Sequence, residues 1–568
     1  MLASFKDRNR AGLLVAVAAV PVVAYFVFFF SFSLDLPFGD DYAVLAFAVN
    51  FTNPEWPDKT ALLFSQHNEH RIVSLRAVIL AFHYLSLKIN WVAIAFLGNL
   101  GILGIVLLLW KRVGRAGDLP PPRKILRFLP VVFLLFQPQH HELTLWAMCA
   151  FTNVGVVLFA FLAFFFLTPR ASVSGDAVPF IAAVGFALLA AYTNGNGVFA
   201  FLAGALVLLA ARTYRRLFIW LGTGALAVGF YFAGYVRNPE HPAILPYLKD
   251  HVLETVAYYL SVLGSFADFG GFGPFTTVRM GIVLLGTFVF LVTRRIHRQD
   301  PFLFSTISFV MLSLAALTWT RAPFGLIQSY SPRYKFLSAL TAALIYLALL
   351  RISREGKKIA AVGLAVSIFF GIASYLVNIP RGRDTRAVRL VNVIDWNRGK
   401  ADLPYANREH AEATLRLAGQ RKIYDPPQAW NISRLKFPFG AVIGEGAAGS
   451  GSGASEVVVS GWALDNAGPP AIVVRRGPLP SDRPETGNRA GLVYVGRVKC
   501  REGNVPEVGR VYYGFPGRDR MIWDFRFEPA DLPGTSEPPV LFFFARDRAG
   551  HETLLGTHSV RRSERAAR

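Results

Sequence analysis

The sequence predicts a mainly α polytopic membrane protein of about eleven transmembrane helices with a C-terminal β-sandwich. Three observations predict it. First, 53% of the 568 residues are hydrophobic and the mean hydropathy is +0.39. Long apolar blocks with charges at their ends are the mark of a chain that crosses a bilayer repeatedly. Second, the Lys and Arg behind the net charge of +22 fall in short clusters between the apolar blocks. That is the positive-inside pattern, with phospholipid head groups as partners, and not the single basic patch of a nucleic-acid binder. Third, from Glu456 the pattern changes to short β-branched and aromatic runs separated by Gly, Pro and Asp.

The segment MLASFKDRNR, with Lys6, Arg8 and Arg10, is expected to stay cytoplasmic. The apolar block at 11–33 is too long for a signal-peptide core and reads as a retained helix. Residues 34–90 form a long first outer loop. Within it 72–87 carries Arg76 and His83 and reads as a helix lying at the outer surface. Further spans are expected at 91–110, 125–136, 143–167, 177–192, 198–211, 217–235, 278–292, 302–319, 334–350 and 359–378, and 251–266 reads as re-entrant or interfacial. Placed by Lys and Arg alone, this topology brings GDDY, QHNEHR, QPQHHE, NGNG and SYSPRY to one outer side.

Three parts follow: a transmembrane part at 1–380, a polar connector at 381–454, and the β-sandwich at 455–568. The connector contains the helical stretch REHAEATLRLAGQRK and the linker GEGAAGSGSGAS. The expected strands are EVVVSGWALD, AIVVRRG, GLVYVGRV, RVYYGF, MIWDFRF, PVLFFFARD and ETLLGT. The only cysteines, Cys149 in an apolar block and Cys500 in the tail, suggest neither a disulfide nor a paired-Cys metal site.

Ionisable groups at a membrane boundary are costly, so they mark candidate sites. Asp40 and Asp41 follow the first span. A carboxylate there can take a proton from a hydroxyl or hold a divalent cation such as Mg or Mn, and equally can cap a helix. His67, Glu69, His70 and Arg71 form a second group; on a helix His67 and His70 would share a face. With His140, His141 and Glu142 they could form a metal site, or pair among themselves in a half-buried polar pocket; Arg71 could hold a phosphate. Arg321, Arg333, Tyr334 and Lys335 lie where the positive-inside rule disfavours cations. They suit a lipid phosphate, the alternative being interfacial snorkelling. In YTNGNG, Gly195 and Gly197 permit positive φ or close backbone approach in a tight turn. Trp462 reads as β-sandwich core.

This layout resembles the GT-C class of membrane glycosyltransferases in its many spans, its long first outer loop, and an early acidic pair, here Asp40 and Asp41 in FGDDY. HNEHR, the E-x-x-x-W of Glu142 to Trp146, the NG step and SPRY are also similar to features of bacterial glycosyltransferase-like membrane proteins. The resemblance implies transfer of a sugar from a polyprenyl-phosphate donor to an extracytoplasmic glycan, lipid or protein. It implies one aspartate as base and His67, Glu69, His70, Arg71, His141, Glu142, Arg321, Arg333, Tyr334 and Lys335 around the substrates. The topology set by Lys and Arg leads to the expectation of a bacterial inner membrane with the N-terminus cytoplasmic and the C-terminal domain periplasmic or outside. Many members carry Asp-Glu where this chain has Asp-Asp, which leaves the donor sugar open. The alternatives are a transporter or flippase of lipid-linked sugars, which would place charges near the mid-membrane, and a non-catalytic scaffold.

Overall fold

The computed structural model describes residues 2–86, 88–114, 119–168, 177–237, 244–270, 273–397, 403, 405, 407–424, 439–447, 457–464, 470–477, 493–501, 521–527, 540–547, 550 and 552–559. It divides into two units. One comprises Met1–Ser33, Asp40–Asn378 and Leu417–Tyr424; the other comprises Leu34–Gly39, Ile379–Arg416 and Asp425–Arg568.

The first unit is helical. It opens with α1 (Leu2–Phe32), followed in the loop by α2 (Asp41–Phe51), α3 (Lys59–Phe64) and α4 (Val73–Ser86). Asp58 caps α3 by accepting from the Ala61 amide at 2.8 Å. Next come α5 (Trp91–Leu109), α6 (Pro121–Leu135), α7 (His141–Leu145) and α8 (Ala147–Leu167). The expected span at 143–167 is therefore broken. Trp146 is extended at φ −109, ψ 115, and the long helix begins only at Ala147. Then follow α9 (Ala177–Ala191), α10 (Phe199–Ala210), α11 (Tyr214–Phe232), α12 (Ile244–Asp250) and α13 (Val252–Leu263). The rest are α14 (Gly273–Thr293), α15 (Ile296–Gln299), α16 (Pro301–Arg321), α17 (Lys335–Ile352) and α18 (Gly356–Asn397), which belongs to this unit as far as Asn378; α19 (Arg408–Gln420) belongs to the second unit up to Arg416 and to the first from Leu417.

Among the described residues, seven helices are long and apolar enough to cross a membrane: α1, α5, α8, α14, α16, α17 and α18. The chain reads as a membrane protein on that ground. One apolar cluster runs through the bundle, from Tyr25 through Ile102, Phe161, Leu303 and Leu340 to Phe370. Large apolar residues also face outward, among them Val20, Phe218, Phe230 and Phe369. In water such a surface would be a liability; against lipid it is the expected one.

Several polar side chains inside this bundle pair with one another, which offsets the cost of burying them away from water. The Tyr25 hydroxyl donates to Asn99 and lies 3.0 Å from the Thr144 hydroxyl, while Asn99 Nδ2 donates to the Thr144 carbonyl at 3.0 Å. This fastens α1 and α5 to α7. The helix α13, expected to be re-entrant or interfacial, packs against α14. Tyr258, Ser261, Val262 and Leu263 are buried, and the Ser261 hydroxyl lies 2.6 Å from that of Thr277 on α14.

In the second unit the strands are β1 (Phe439–Ala447), β2 (Val457–Leu464), β3 (Ala471–Gly477), β4 (Val493–Lys499), β5 (Ile522–Phe527), β6 (Val540–Arg546) and β7 (Glu552–Ser559). They form two antiparallel sheets, β1-β2-β5 and β4-β3-β6-β7. Residues of both sheets meet in one cluster, with Val459, Trp523 and Phe525 from the first against Ile472, Leu541 and Phe543 from the second. Val473, Phe542 and Phe544 point the other way, into a second cluster. Both faces of β6 are thus covered, which explains the uninterrupted apolar run VLFFFA. Trp462 is fully buried, as expected. Gly444 to Ala447, the start of the expected linker, lie in β1. The expected strand RVYYGF lies outside the described residues.

Candidate functional site

Gly39, at φ 53, adopts a backbone conformation that costs a side-chain-bearing residue energy, and it turns the chain into α2. The two aspartates that follow part company. Asp41 is 1% exposed, and its Oδ1 accepts from the Met148 amide at 2.9 Å. Met148 lies in the first turn of α8, where amides have no partner within their own helix. Asp41 therefore caps α8 from outside, a carboxylate set against the positive end of a helix dipole. Asp40 is the N-cap residue of α2, yet its side chain does not cap that helix. It is half-buried and hydrogen-bonds Asn68. Burial pushes its carboxyl above the usual range, against the opposing pull of the Asn68 bond and of Arg333 and His70.

The HNEHR segment is not a helix. The His67 amide donates to the His70 carbonyl at 2.7 Å and the His70 amide to the His67 carbonyl at 2.8 Å. Asn68, at φ 49, takes the left-handed conformation that Asn tolerates better than most residues. The segment is thus a tight two-residue turn, and its tip presents Asn68 to Asp40. The turn is stitched to the end of α11. Gln66 exchanges two hydrogen bonds with the Val236 backbone, at 2.6 and 2.9 Å. The Tyr231 hydroxyl accepts from the Arg71 amide at 3.2 Å.

Arg71 gives its Nε to the Tyr231 carbonyl at 2.6 Å and its two terminal nitrogens to the carbonyls of Phe64 and Ala233. It is a backbone clamp, with its guanidinium given to three carbonyls. Lys335 is engaged likewise. It is 1% exposed, and its Nζ donates to Asp268 Oδ2 at 2.8 Å, to the Asp268 carbonyl at 2.7 Å and to Gln139 at 3.3 Å. These three acceptors fill its donor capacity.

The other two arginines are partly exposed and paired with carboxylates. Arg321, at the end of α16, lies 3.2 Å from Glu69. Arg333, in the 3-10 segment Pro332–Tyr334, lies 3.8 Å from Glu142, whose other oxygen accepts from the Ser331 hydroxyl at 3.1 Å. The Arg333 guanidinium lies 5.1 Å from the Tyr334 ring centroid. Both pairs are partly exposed, and both join segments distant in sequence.

The NGNG turn closes the site from a third side. A Cβ on Gly195 would sit 2.6 Å from His70 Nδ1 and 3.1 Å from the Tyr231 hydroxyl, so the turn requires a glycine there for close approach. Asn194 donates to Asn153 at 2.7 Å and Asn196 to Ser313 at 3.0 Å.

His67, His70 and His140 are held neutral. Burial, with a contribution from Arg76, lowers His67 to about 4; burial also lowers His70 to about 4 and His140 to about 3. His140 packs between Tyr25 and Phe336, and His141 is buried at the start of α7. Among the described residues no three His, Cys, Asp or Glu side chains converge as a metal-ligand set. The expected union of His67, Glu69 and His70 with His140, His141 and Glu142 is therefore not formed.

One end of the bundle thus gathers Asp40, Glu69, Glu142, Arg321 and Arg333, with Asn68 and neutral His70 between them. Sequence reasoning missed Asn68, Gln66, Tyr231 and Asp268. Asn68 carried a local signal, a turn-forming residue between two histidines. Tyr231 and Asp268 carried none, because their partners are distant in sequence. The chain matches no protein-family model, and neither a curated protein nor a solved structure is detectably similar to it.

Proposed function

We propose that this protein is a membrane glycosyltransferase that moves one sugar from a polyprenyl-phosphate donor to an extracytoplasmic acceptor. In this reading the helices form about eleven spans of a bacterial inner membrane. The N-terminus is cytoplasmic, and the C-terminal strands of the second unit form a periplasmic β-sandwich.

The observation that carries the reading is Asp40, a half-buried carboxylate within electrostatic reach of Arg333 at the end of an apolar bundle. Asp40 takes the proton of an acceptor hydroxyl. The freed oxygen forms a bond to the anomeric carbon as the bond from that carbon to the phosphate oxygen breaks. The lipid phosphate leaves with the electron pair, and a single displacement inverts the anomeric centre. A carboxyl pushed upward is a stronger base once ionised. Arg333, and Arg321 beside it, present planar donor forks suited to the phosphate oxygens. Glu69 and Glu142 hold those forks in place. Asp41 and Lys335, engaged elsewhere, have no part in the chemistry.

The test uses purified protein in nanodiscs with a panel of radiolabelled polyprenyl-phosphate sugars and crude envelope glycan as acceptor. Release of free polyprenyl phosphate that depends on the acceptor and is lost in Asp40→Asn supports the reading. Donor translocation across a proteoliposome bilayer without cleavage would establish the flippase alternative instead.

A further inference from the structure

The polar connector contains a segment that returns to the helical unit. Residues Leu417–Tyr424 pack with the helices and not with the strands. The end of α19 is unusual. Lys422 is left-handed at φ 55, a conformation that costs a residue other than glycine about 1 kcal/mol or more. Its amide donates to the Gly419 carbonyl at 3.0 Å and that of Ile423 to the Ala418 carbonyl at 2.9 Å, which closes the helix and reverses the chain.

The reversal delivers three contacts. Arg421 Nη1 donates to the Val49 carbonyl at 2.6 Å. The Ile423 carbonyl accepts from the Ile89 amide at 2.9 Å. Tyr424, 1% exposed, packs edge-on against Trp91, the first residue of α5. Val49 lies in the last turn of α2, where carbonyls lack partners within the helix and a cation is favoured. The helix α2 is therefore held at both ends, by Arg421 at the last turn and by Asp41 on Met148 at the first. Asp40 is the residue from which α2 starts.

We infer that Leu417–Tyr424 is a clamp that positions α2, and that Arg421 is a positioning residue for Asp40. The inference rests on the proposed transferase reading only where it speaks of turnover; the mechanical claim stands apart from it. Without the clamp α2 tilts about its Asp41 anchor, the Asp40–Asn68 bond lengthens, and the cap on α8 loosens.

The test uses the full chain with Cys500→Ser, so that Cys149, the residue after Met148, is the one thiol left to label. Two quantities are measured in wild type, Arg421→Ala, Arg421→Lys and Tyr424→Ala: the rate of maleimide labelling at Cys149, and the pH dependence of kcat and KM. Arg421→Ala is expected to label faster. Its kcat is expected to fall by about 10- to 100-fold, the usual consequence of misplacing a reacting group by about 1 Å, with KM little changed. The acid limb of its profile moves upward, because Asn68 no longer favours the ionised Asp40. Arg421→Lys restores much of both. Unchanged labelling in both Arg421→Ala and Tyr424→Ala, each at wild-type membrane level, overturns the clamp. Faster labelling in a protein that cleaves no donor even as wild type upholds the clamp and sinks the transferase reading.

Discussion

Asp41 and Asp40 are adjacent, yet their replacements are expected to act in opposite ways. Asp41 is closed to solvent and makes a charge-assisted hydrogen bond of 2.9 Å to Met148. Such bonds contribute about 1.5–3 kcal/mol. The dipole of α8 adds a smaller increment in the same direction. Asp41→Ala removes the acceptor and strands the amide, at a cost of about 2–3 kcal/mol. Asp41→Asn keeps an oxygen but loses the charge, at about 1 kcal/mol. Asp40→Asn removes a charge that burial disfavours, so its stability should equal or exceed that of wild type near neutral pH. The sign follows from the raised pKa. The folded state holds the Asp40 proton more tightly than the unfolded state, so ionisation above the folded pKa costs stability and the cost vanishes below the unfolded pKa. Unfolding in mixed detergent–SDS micelles, followed by Trp fluorescence, should rank the midpoints Asp40→Asn at or above wild type, then Asp41→Asn, then Asp41→Ala. An Asp41→Ala midpoint equal to wild type would refute the capping argument.

Three further outcomes are expected. Lys335→Met leaves Asp268 as a buried, uncompensated charge and should cost about 3–5 kcal/mol, and adding Asp268→Leu should recover part of it; the same micelle titration reads both. Gly195→Ala drives a methyl against His70 and Tyr231, so it should destabilise by about 1–3 kcal/mol and lower transfer activity, which an in-membrane turnover assay would register. His67 and His70 are held neutral, with pKa values lowered from 6.5 to about 4. The unfolded chain therefore takes up protons first, so stability should be full above pH 6.5 and decline as pH falls toward 4, and His70→Gln should flatten the decline in a melting series across that range.

The helices were legible because their apolar runs are long and bounded by charge, and α19 because its apolar residues recur at helical spacing. The exceptions have local causes. The shared helical face considered for His67 and His70 does not form because Asn68 takes the left-handed conformation and closes a turn. The break at Trp146 is invisible in a run that is apolar on both sides of it. β1 was hidden because its Gly-rich end reads as linker. At the site, the sequence pointed to both aspartates and to Arg321 and Arg333. It did not separate Asp40 from Asp41, because that separation depends on the α8 amide 107 residues away. Nor did it distinguish Arg333 from Arg71 and Lys335. All three are cations at an apparent membrane edge, and only their partners, carbonyls for Arg71 and Asp268 for Lys335, reveal which are already engaged.

The central claim, that Asp40 is the base of a sugar transfer, is tested most directly by surface-glycan analysis. The gene is deleted and complemented with wild type, Asp40→Asn or Asp41→Asn, and membrane levels are matched. The prediction is a glycan that is altered on deletion, restored by wild type and by Asp41→Asn, and not restored by Asp40→Asn present at normal level. Full restoration by Asp40→Asn would contradict the account.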